Sequence, residues 1–530
     1  MVIGAGPNGL VAANLLADEG LDVVVLEAQP AYGGAVRDAE LTAPGFRTDL
    51  FSAFYPLSAA SPLLAALGLE DYGLRWVHSP TVLTHLTPDG RTVTLSRDLD
   101  ATAASVDAWA AGDGEAWISV VEQWRRLRPA LLDALFQPFP PVAPALRLLR
   151  TLGPADALRF VRFLLQPVRR YGEETFRGDG ARLLLAGNAL HTDLSPESAG
   201  SAVFGWLLAM LGQDYGFPTP AGGTGRLPDA LVARLRARGG EVVCSAPVTK
   251  VLVDSGRAYG VEVNGTPVLA RLAVVADVPA PSLLLGLVGE QHLPARVVDD
   301  LHRFAWDDAT VKVNWALRAP IPWTSPGCVG AGTVHLGVDL DGLSRFSADL
   351  ATRRIPREPF VLLGQMTTTD PQRSPAGTES VWAYTHVPRT AIDDADALQA
   401  HVEDVEALVE RHAPGFRASV IGRSSQLPLD LEAADANLAG GAINAGSSAI
   451  YQMLVFRPVP GLGRPELPIE RLYLASASAH PGGGVHGAPG ANAAKVVLMR
   501  NRAFGGLRGR LIDGTQRRVQ GSPPGRRRLL

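Results

Sequence analysis

Apolar positions are spaced differently at the two ends of the chain and in its middle. At the start, Val2–Ile3 is a short apolar run that stops at Gly4-Ala5-Gly6-Pro7-Asn8-Gly9. Apolar residues then recur at helical spacing, and residues 23–26 form a second run that ends on Glu27. The order predicts strand, glycine turn, helix and strand. Near the other end, residues 471–475 read as a strand, residues 476–490 as a glycine-rich loop and residues 491–500 as a helix. Two strand–loop–helix units therefore bracket the molecule.

Between them the pattern changes four times. Residues 38–90 are rich in turns and include half of a hairpin, residues 83–86, which pairs across Pro88-Asp89-Gly90 with residues 92–95. Residues 100–212 carry apolar side chains at helical spacing, broken between Pro138 and Pro144. Residues 221–278 return to α/β character, with Gly222-Gly223-Thr224-Gly225 before a helix and strands at 241–244, 248–253, 259–263 and 272–276. Residues 291–455 look α+β, with strands at 311–317, 360–366 and 380–386 that would wall a substrate cavity.

The first turn is G-x-G-x-x-G. Gly4, Gly6 and Gly9 allow the backbone to turn tightly and approach a pyrophosphate at the helix N-terminus. Glu27, eighteen positions after Gly9, can accept the hydrogen bonds of a ribose diol. Gly33-Gly34 adds a second small-residue turn, and Arg37 brings a fork of donors for phosphate or flavin oxygens. That second turn suits FAD, a dinucleotide that stays bound, better than NAD. In the terminal loop, backbone N–H groups at Gly483, Gly484 and Val485 and the helix start at Pro489-Gly490 would face the pyrimidine side of the flavin. Only one full dinucleotide fingerprint is readable, so no dedicated NADPH domain is expected.

These pieces resemble the phytoene desaturase-like family of FAD-dependent oxidoreductases, on the side of the branch called pyridine nucleotide-disulfide oxidoreductase domain-containing protein 2. The matching segments are GAGPNGLVAANLL with VVVLEAQPAYGGAVR, GNALHTDLSPESAGS, PAGGTGRLPDAL, VKVNWAL and RLYLASASAHPGGGVHGAPGANAA. The resemblance implies an α/β fold: a discontinuous Rossmann-type FAD-binding domain, an interleaved α+β substrate domain and a helical lid. It places the FAD-binding domain at 1–90, 215–290 and 456–503, the lid and substrate region at 91–214, and the substrate domain at 291–455. It also implies that the backbone at Val248 meets the adenine, and that the substrate is apolar. The chain departs from the family in its first strand, only three residues long, which should weaken a central sheet position and points to an upstream start.

Composition narrows the reading further. The chain has 530 residues, a net charge of −4 and 19% charged residues, with no footprint for nucleic acid. Lys250, Lys312 and Lys495 are the only lysines, a bias that suits a GC-rich bacterial genome. Cys244 and Cys328 are too few for a disulfide scaffold and read as inert buried thiols. No targeting segment and no membrane-spanning run is readable, so the protein is expected in the cytoplasm, with a peripheral place at the inner membrane face. Residues 504–530 are arginine-rich and read as a disordered basic tail. Residues 145–170 interleave leucine and phenylalanine with six arginines, which suits a lid over an apolar pocket or a helix lying in a lipid interface. The oligomeric state is not legible.

Catalytic candidates are fewer. Flavin accepts a hydride without a protein acid, so the cofactor carries the hard step. His480 matches the family's His-Pro-Gly-Gly-Gly and precedes the flavin loop. His486 lies in the same loop, and His191 suits a helix-end histidine. Lys312 points away from Val311 and Val313; that spacing reads as a solvent-facing lysine, or as one that holds a water beside the flavin. Asp49, Ser52 and Tyr55 follow the phosphate region and could approach the ring. No metal-ligand spacing appears. The leading function is hydrogen transfer on a C–C bond of an apolar substrate, isoprenoid or acyl. An amine- or amino-acid-type flavin oxidase is the second, and a flavoprotein without turnover or a redox-neutral one, working through a partner, is the third.

Overall fold

The computed structural model describes residues 1–501 and 505–521. Five parallel strands form a sheet in the order Leu472–Leu474, Val274–Ala276, Val2–Ile3, Val24–Leu26, Glu241–Val243. Stretches from both ends and the middle of the chain thus meet in one layer, as the two bracketing units imply. Val2–Ile3 is central and buried. Its ladder extends past the strand itself, through Val275 N–H to Met1 O at 3.0 Å and Gly4 N–H to Leu26 O at 2.8 Å. Helices Pro7–Asp18 and Ala488–Asn501 pack side by side on this sheet. Their approach is so close that a Cβ on Gly490 would stand 1.9 Å from Asn8 O.

A second sheet has seven strands in the order Val420–Gln426, Ala309–Leu317, Glu379–Val387, Val361–Gln365, Ala331–Leu336, Thr81–Leu86, Thr92–Leu95. All neighbours are antiparallel except Ala331–Leu336 with Thr81–Leu86. The strands read at 311–317, 360–366 and 380–386 are there. The domain boundary read at residue 90 is corrected: Thr81–Leu86 belongs to this sheet, because its hairpin partner and Ala331–Leu336 flank it on either side. One face of the sheet, with Val311, Val313, Trp315, Val381 and Ala383, packs under helix Ala395–His412. The other face looks toward a helical block that includes Asp113–Leu135, Val142–Leu165 and Ser201–Tyr215.

Two further expectations are changed. Residues 505–520, read as part of a disordered tail, form the helix Gly505–Gln520. Its end is anchored by Gln516 Nε2–H to Glu466 O at 3.0 Å and by Arg296 Nη1–H to Val519 O at 3.3 Å. Tail residues 504 and 522–530, with Arg526, Arg527 and Arg528, lie outside the described residues. Of the two thiols, Cys328 is buried but Cys244 is only partly so, because its strand lies at the edge of the parallel sheet.

Candidate active site

The first glycine turn has the geometry its sequence implies. Gly4 has φ +89°, and a Cβ there would stand 2.9 Å from Asp277 O, so a side chain would both strain and crowd the turn. Glu27, at the end of Val24–Leu26, accepts from Ala5 N–H at 2.8 Å and from Gln29 N–H at 2.9 Å, which ties its carboxylate to the glycine loop. Gly34 lies against Gly6: a Cβ on Gly34 would be 3.0 Å from Gly6 Cα. The two turns read separately in the sequence therefore form one wall. Ala246 N–H donates to Glu27 O at 2.8 Å, which joins the start of the segment that carries Val248 to the end of Val24–Leu26.

Asp277 was not singled out in the sequence. It follows Val274–Ala276, and its Oδ2 accepts from Gly9 N–H at 2.9 Å at the start of Pro7–Asp18. A carboxylate thus caps the helix end where a pyrophosphate belongs. Burial pushes Asp277 up to about 7, with Asp435 and Glu27 adding to the rise. Its position at the carboxyl end of a parallel strand is the signal that could have found it. Arg37 is committed to the backbone, donating to Gly34 O at 2.8 Å and Ala434 O at 2.6 Å, and its guanidinium lies over Phe51. The glycine cradle, the helix start and Glu27 fit an FAD pyrophosphate and ribose, with the Asp277 carboxyl raised by burial beside them.

The terminal loop is pinned from outside. Ser61 Oγ–H donates to His486 O at 2.9 Å, and Ser58 Oγ–H donates to Val485 O. Ala488 N–H donates to His486 Nδ1 at 3.1 Å, so the ring proton sits on Nε2, beside Gly483 O at 3.2 Å. Burial brings His486 down to about 4. Gly483, Gly484 and Val485 line the cavity described below. Pro489 and Gly490 do not; they pack in helix Ala488–Asn501. His480 also lies off the cavity, buried against Phe139, with both ring nitrogens unpaired. Burial and the neighbouring Arg457 bring it down to about 4. The structure therefore separates His480 from the face where the chemistry would occur.

A cavity of about 320 Å³ opens between the terminal loop and the seven-stranded sheet. Its lining is mostly apolar, with Phe54, Leu57, Leu135, Phe204, Leu207, Leu208, Leu211, Phe217 and Trp382 among its residues. Helix Ser201–Tyr215 contributes four of these, and no residue of 145–170 lines it. Residues 145–170 cover the helices that cover the cavity, so the lid is indirect.

Lys312 corrects a sequence expectation. It does not face solvent: Ala309–Leu317 is buried along its whole length, and Lys312 is 3% exposed. The strand is internal to the sheet, and its second face meets the cavity instead of water. Burial holds Lys312 down to about 7, against the pull of Asp49. Its Nζ donates to Asp49 O. The Asp49 carboxylate is itself held by Arg373 Nη1–H at 2.7 Å, both side chains being fully enclosed. Ser52 lines the cavity, whereas Tyr55 is turned away and donates to Ser52 O at 2.9 Å.

Register gathers the residues that no local motif predicts. Gln426, Lys312, Tyr384, Leu362, His335 and His85 lie directly across one another on six neighbouring strands. Two residues along, Asn314, Trp382, Gly364 and Thr333 form a parallel row. His191 joins from its turn: His191 Nε2 and His335 Nε2 are 2.8 Å apart. Among the described residues no group of three or more His, Cys, Asp or Glu could hold a metal ion. No described helix is long and apolar enough to cross a membrane.

Comparison with known proteins agrees with this geometry. The model of the family described as flavin containing amine oxidoreductase matches residues 8–498. The chain is 29% identical to the rat pyridine nucleotide-disulfide oxidoreductase domain-containing protein 2, over 94% of this chain and 93% of that one. It is 24% identical to the zeta-carotene-forming phytoene desaturase of Myxococcus xanthus, over 92% and 90% of the two chains. The crystal structure of an oxidoreductase from Methanosarcina mazei superposes with a TM-score of 0.63 at 18% identity, covering 94% of this chain and 99% of that one, which establishes the fold. A match that begins within the first glycine turn and ends within helix Ala488–Asn501 leaves little of the molecule outside it: the chain belongs to the flavin-containing amine oxidoreductase family, as a phytoene desaturase-like, FAD-dependent oxidoreductase.

Proposed function

We propose that this oxidoreductase transfers hydrogen on a C–C bond of an apolar substrate of isoprenoid or acyl type. The observation that carries the reading is the apolar cavity facing Gly483, Gly484 and Val485. Bound FAD would supply the hydride acceptor or donor. The protein's part is to exclude water, orient the skeleton and handle one proton. Leu207, Leu208 and Leu211 supply the apolar wall. Lys312 Nζ is the proton site: it lies in the cavity, and burial holds it near neutrality, where it can both take and give a proton.

An amine oxidase reading finds less support. Among the described lining residues there is no Asp or Glu to meet an ammonium and no Arg to meet a carboxylate. Trp382 and Tyr384 stack on each other along one strand, at 5.9 Å and 23°, and so form one wall in place of two facing each other. Incubation of the holoprotein with isoprenoid and acyl probes and a quinone acceptor, followed by mass spectrometry, tests the proposal. Products that differ from the probe by a hydrogen pair are expected; unchanged probes across the panel would refute it.

The substrate's lipophilicity fits a peripheral place on a lipid surface. Helix Val142–Leu165 buries Leu152, Ala157 and Phe160 yet exposes Leu146, Leu149, Leu158, Val161 and Leu165. Ile450, Tyr451, Leu454, Val455 and Phe456 are also exposed, next to Ser448 and Met453 of the cavity lining. Exposed apolar residues with arginines among them match an interfacial helix. Liposome flotation of wild type against a Leu146→Ser, Leu149→Ser, Leu158→Ser variant reads this directly, and equal flotation would end it.

A further inference from the structure

The cavity is not uniformly apolar. Its wall carries Thr333 and Tyr384 on the sheet and His191 on the turn Leu190–Thr192, and this cluster has unused hydrogen-bonding capacity. Thr333 is 1% exposed, and its Oγ1 has no partner. Tyr384 is partly buried and lines the cavity, and burial raises its pKa above the ordinary phenol range, with Asp193 adding to the rise. Unpaired polar atoms are disfavoured in a packed interior, so they usually belong to a ligand's site.

The histidines behind the wall define what His191 offers. Val338 O can only accept, so His85, whose Nε2 is 2.9 Å from it, carries its proton on Nε2. His335 Nδ1 is enclosed against Gly187, where a Cβ would be 2.4 Å away, and has no partner. His335 Nε2 meets His191 Nε2. One proton serves that contact. If His335 donates it, His191 keeps its other proton on Nδ1 and is a donor there; if His191 donates it, Nδ1 is an acceptor. His191 can thus meet a hydroxyl or a carbonyl by exchanging tautomers. Burial keeps His85, His191 and His335 neutral. The cavity lining has no carboxylate or guanidinium; its one amine, Lys312, gives one hydrogen bond to Asp49 O, and burial disfavours its charged form.

We infer that the substrate carries an uncharged oxygen, a hydroxyl or a carbonyl, at the end of its apolar skeleton, and that Thr333, Tyr384 and His191 hold it. The inference rests on the proposed use of this cavity for the substrate. It separates such molecules from pure hydrocarbons on one side and from acids and amines on the other.

The test is a titration of the holoprotein, read as the perturbation of the flavin absorption spectrum, with butylbenzene, benzylacetone, the alcohol made by reducing benzylacetone, and phenylbutyrate. The ketone and the alcohol should bind about tenfold more tightly than butylbenzene, the gain of one or two hydrogen bonds. Thr333→Val with His191→Phe should abolish that preference, so that the ketone, the alcohol and butylbenzene bind alike. Tyr384→Phe serves as the second variant if the first does not fold. Equal affinities for the ketone and butylbenzene, tightest binding of phenylbutyrate, or no spectral response to any probe would each overturn the inference. The two readings fail differently. Head-group preference without hydrogen transfer on any bound molecule refutes the reaction class and leaves the site. Hydrogen transfer on hydrocarbons without head-group preference does the reverse.

Discussion

The cofactor cradle and the sheet wall of the cavity both depend on a few unusual residues, but for opposite reasons. In the cradle the requirement is for the absence of atoms. Gly490 meets Asn8 O, and Gly4 meets Asp277 O, at distances no side chain tolerates. In the wall the requirement is for added polarity inside an apolar enclosure, as with Lys312, Thr333, Tyr384 and His335. Errors in the cradle should therefore be paid in folding and cofactor retention, and errors in the wall in chemistry with the fold intact.

The sharpest way to break this contrast is Gly490→Ala. A single methyl must push two helices apart, and overpacking of this kind costs about 3 kcal/mol or less where the site can relax. Purified protein should melt lower and retain less FAD, measured by thermal denaturation and by the ratio of visible to ultraviolet absorbance. Unchanged melting and full flavin would show that the helices are not closely packed.

Lys312→Met should do the opposite. Loss of a positioned proton carrier should lower the rate of hydrogen transfer by about a hundredfold or more. Flavin content should stay full. Stability should rise, because an amine that burial penalises is replaced by an apolar chain of similar length. The pH dependence has a definite sign. Between about 7 and the ordinary lysine range the unfolded chain carries the proton and the native one does not. Wild-type stability should therefore rise with pH across that window, and below about 7 the full penalty applies. Denaturant titrations at several pH values check this: the variant should lack that rise, and an identical slope in both proteins would contradict the burial of Lys312.

A smaller effect belongs to Asp277. Its carboxylate and the FAD pyrophosphate share one helix end, so FAD affinity should fall as pH rises through about 7. Asp277→Asn keeps an acceptor for Gly9 N–H without the charge. It should bind FAD about tenfold more tightly than wild type above that pH, equivalent to ~1.4 kcal/mol, with a flat profile. Quenching of FAD fluorescence by the apoprotein measures it, and parallel profiles would remove Asp277 from the site.

The same contrast explains what the sequence made legible. Glycine requirements are local: a turn of six residues carries its own constraint, so Gly4, Gly6, Gly9, Glu27, Gly33 and Gly34 fell together as anticipated. Five of the seven strands of the second sheet were also found, since alternation marks a strand wherever it lies; Ala331–Leu336 and Val420–Gln426 were not. Alternation does not say which side is wet. For Lys312 the spacing left open a solvent-facing side chain or one beside the flavin, because its neighbours Val311 and Val313 supply the core, and only the packing of the cavity against the other face removes the first. Tyr384, His335 and Thr333 were missed for a related reason. They meet through strand register across distant segments, and no spacing within one segment encodes that. Thr81–Leu86 was assigned to the wrong domain because its partner Ala331–Leu336 lies far along the chain.

The most direct test of the account is anaerobic mixing of the holoprotein with matched lipophilic probes, one panel isoprenoid or acyl and one of primary amines, while the visible flavin band is followed. The account predicts bleaching by members of the first panel, with products two hydrogens lighter, and no bleaching by the amines. Bleaching by amines alone, with release of aldehyde, would contradict it.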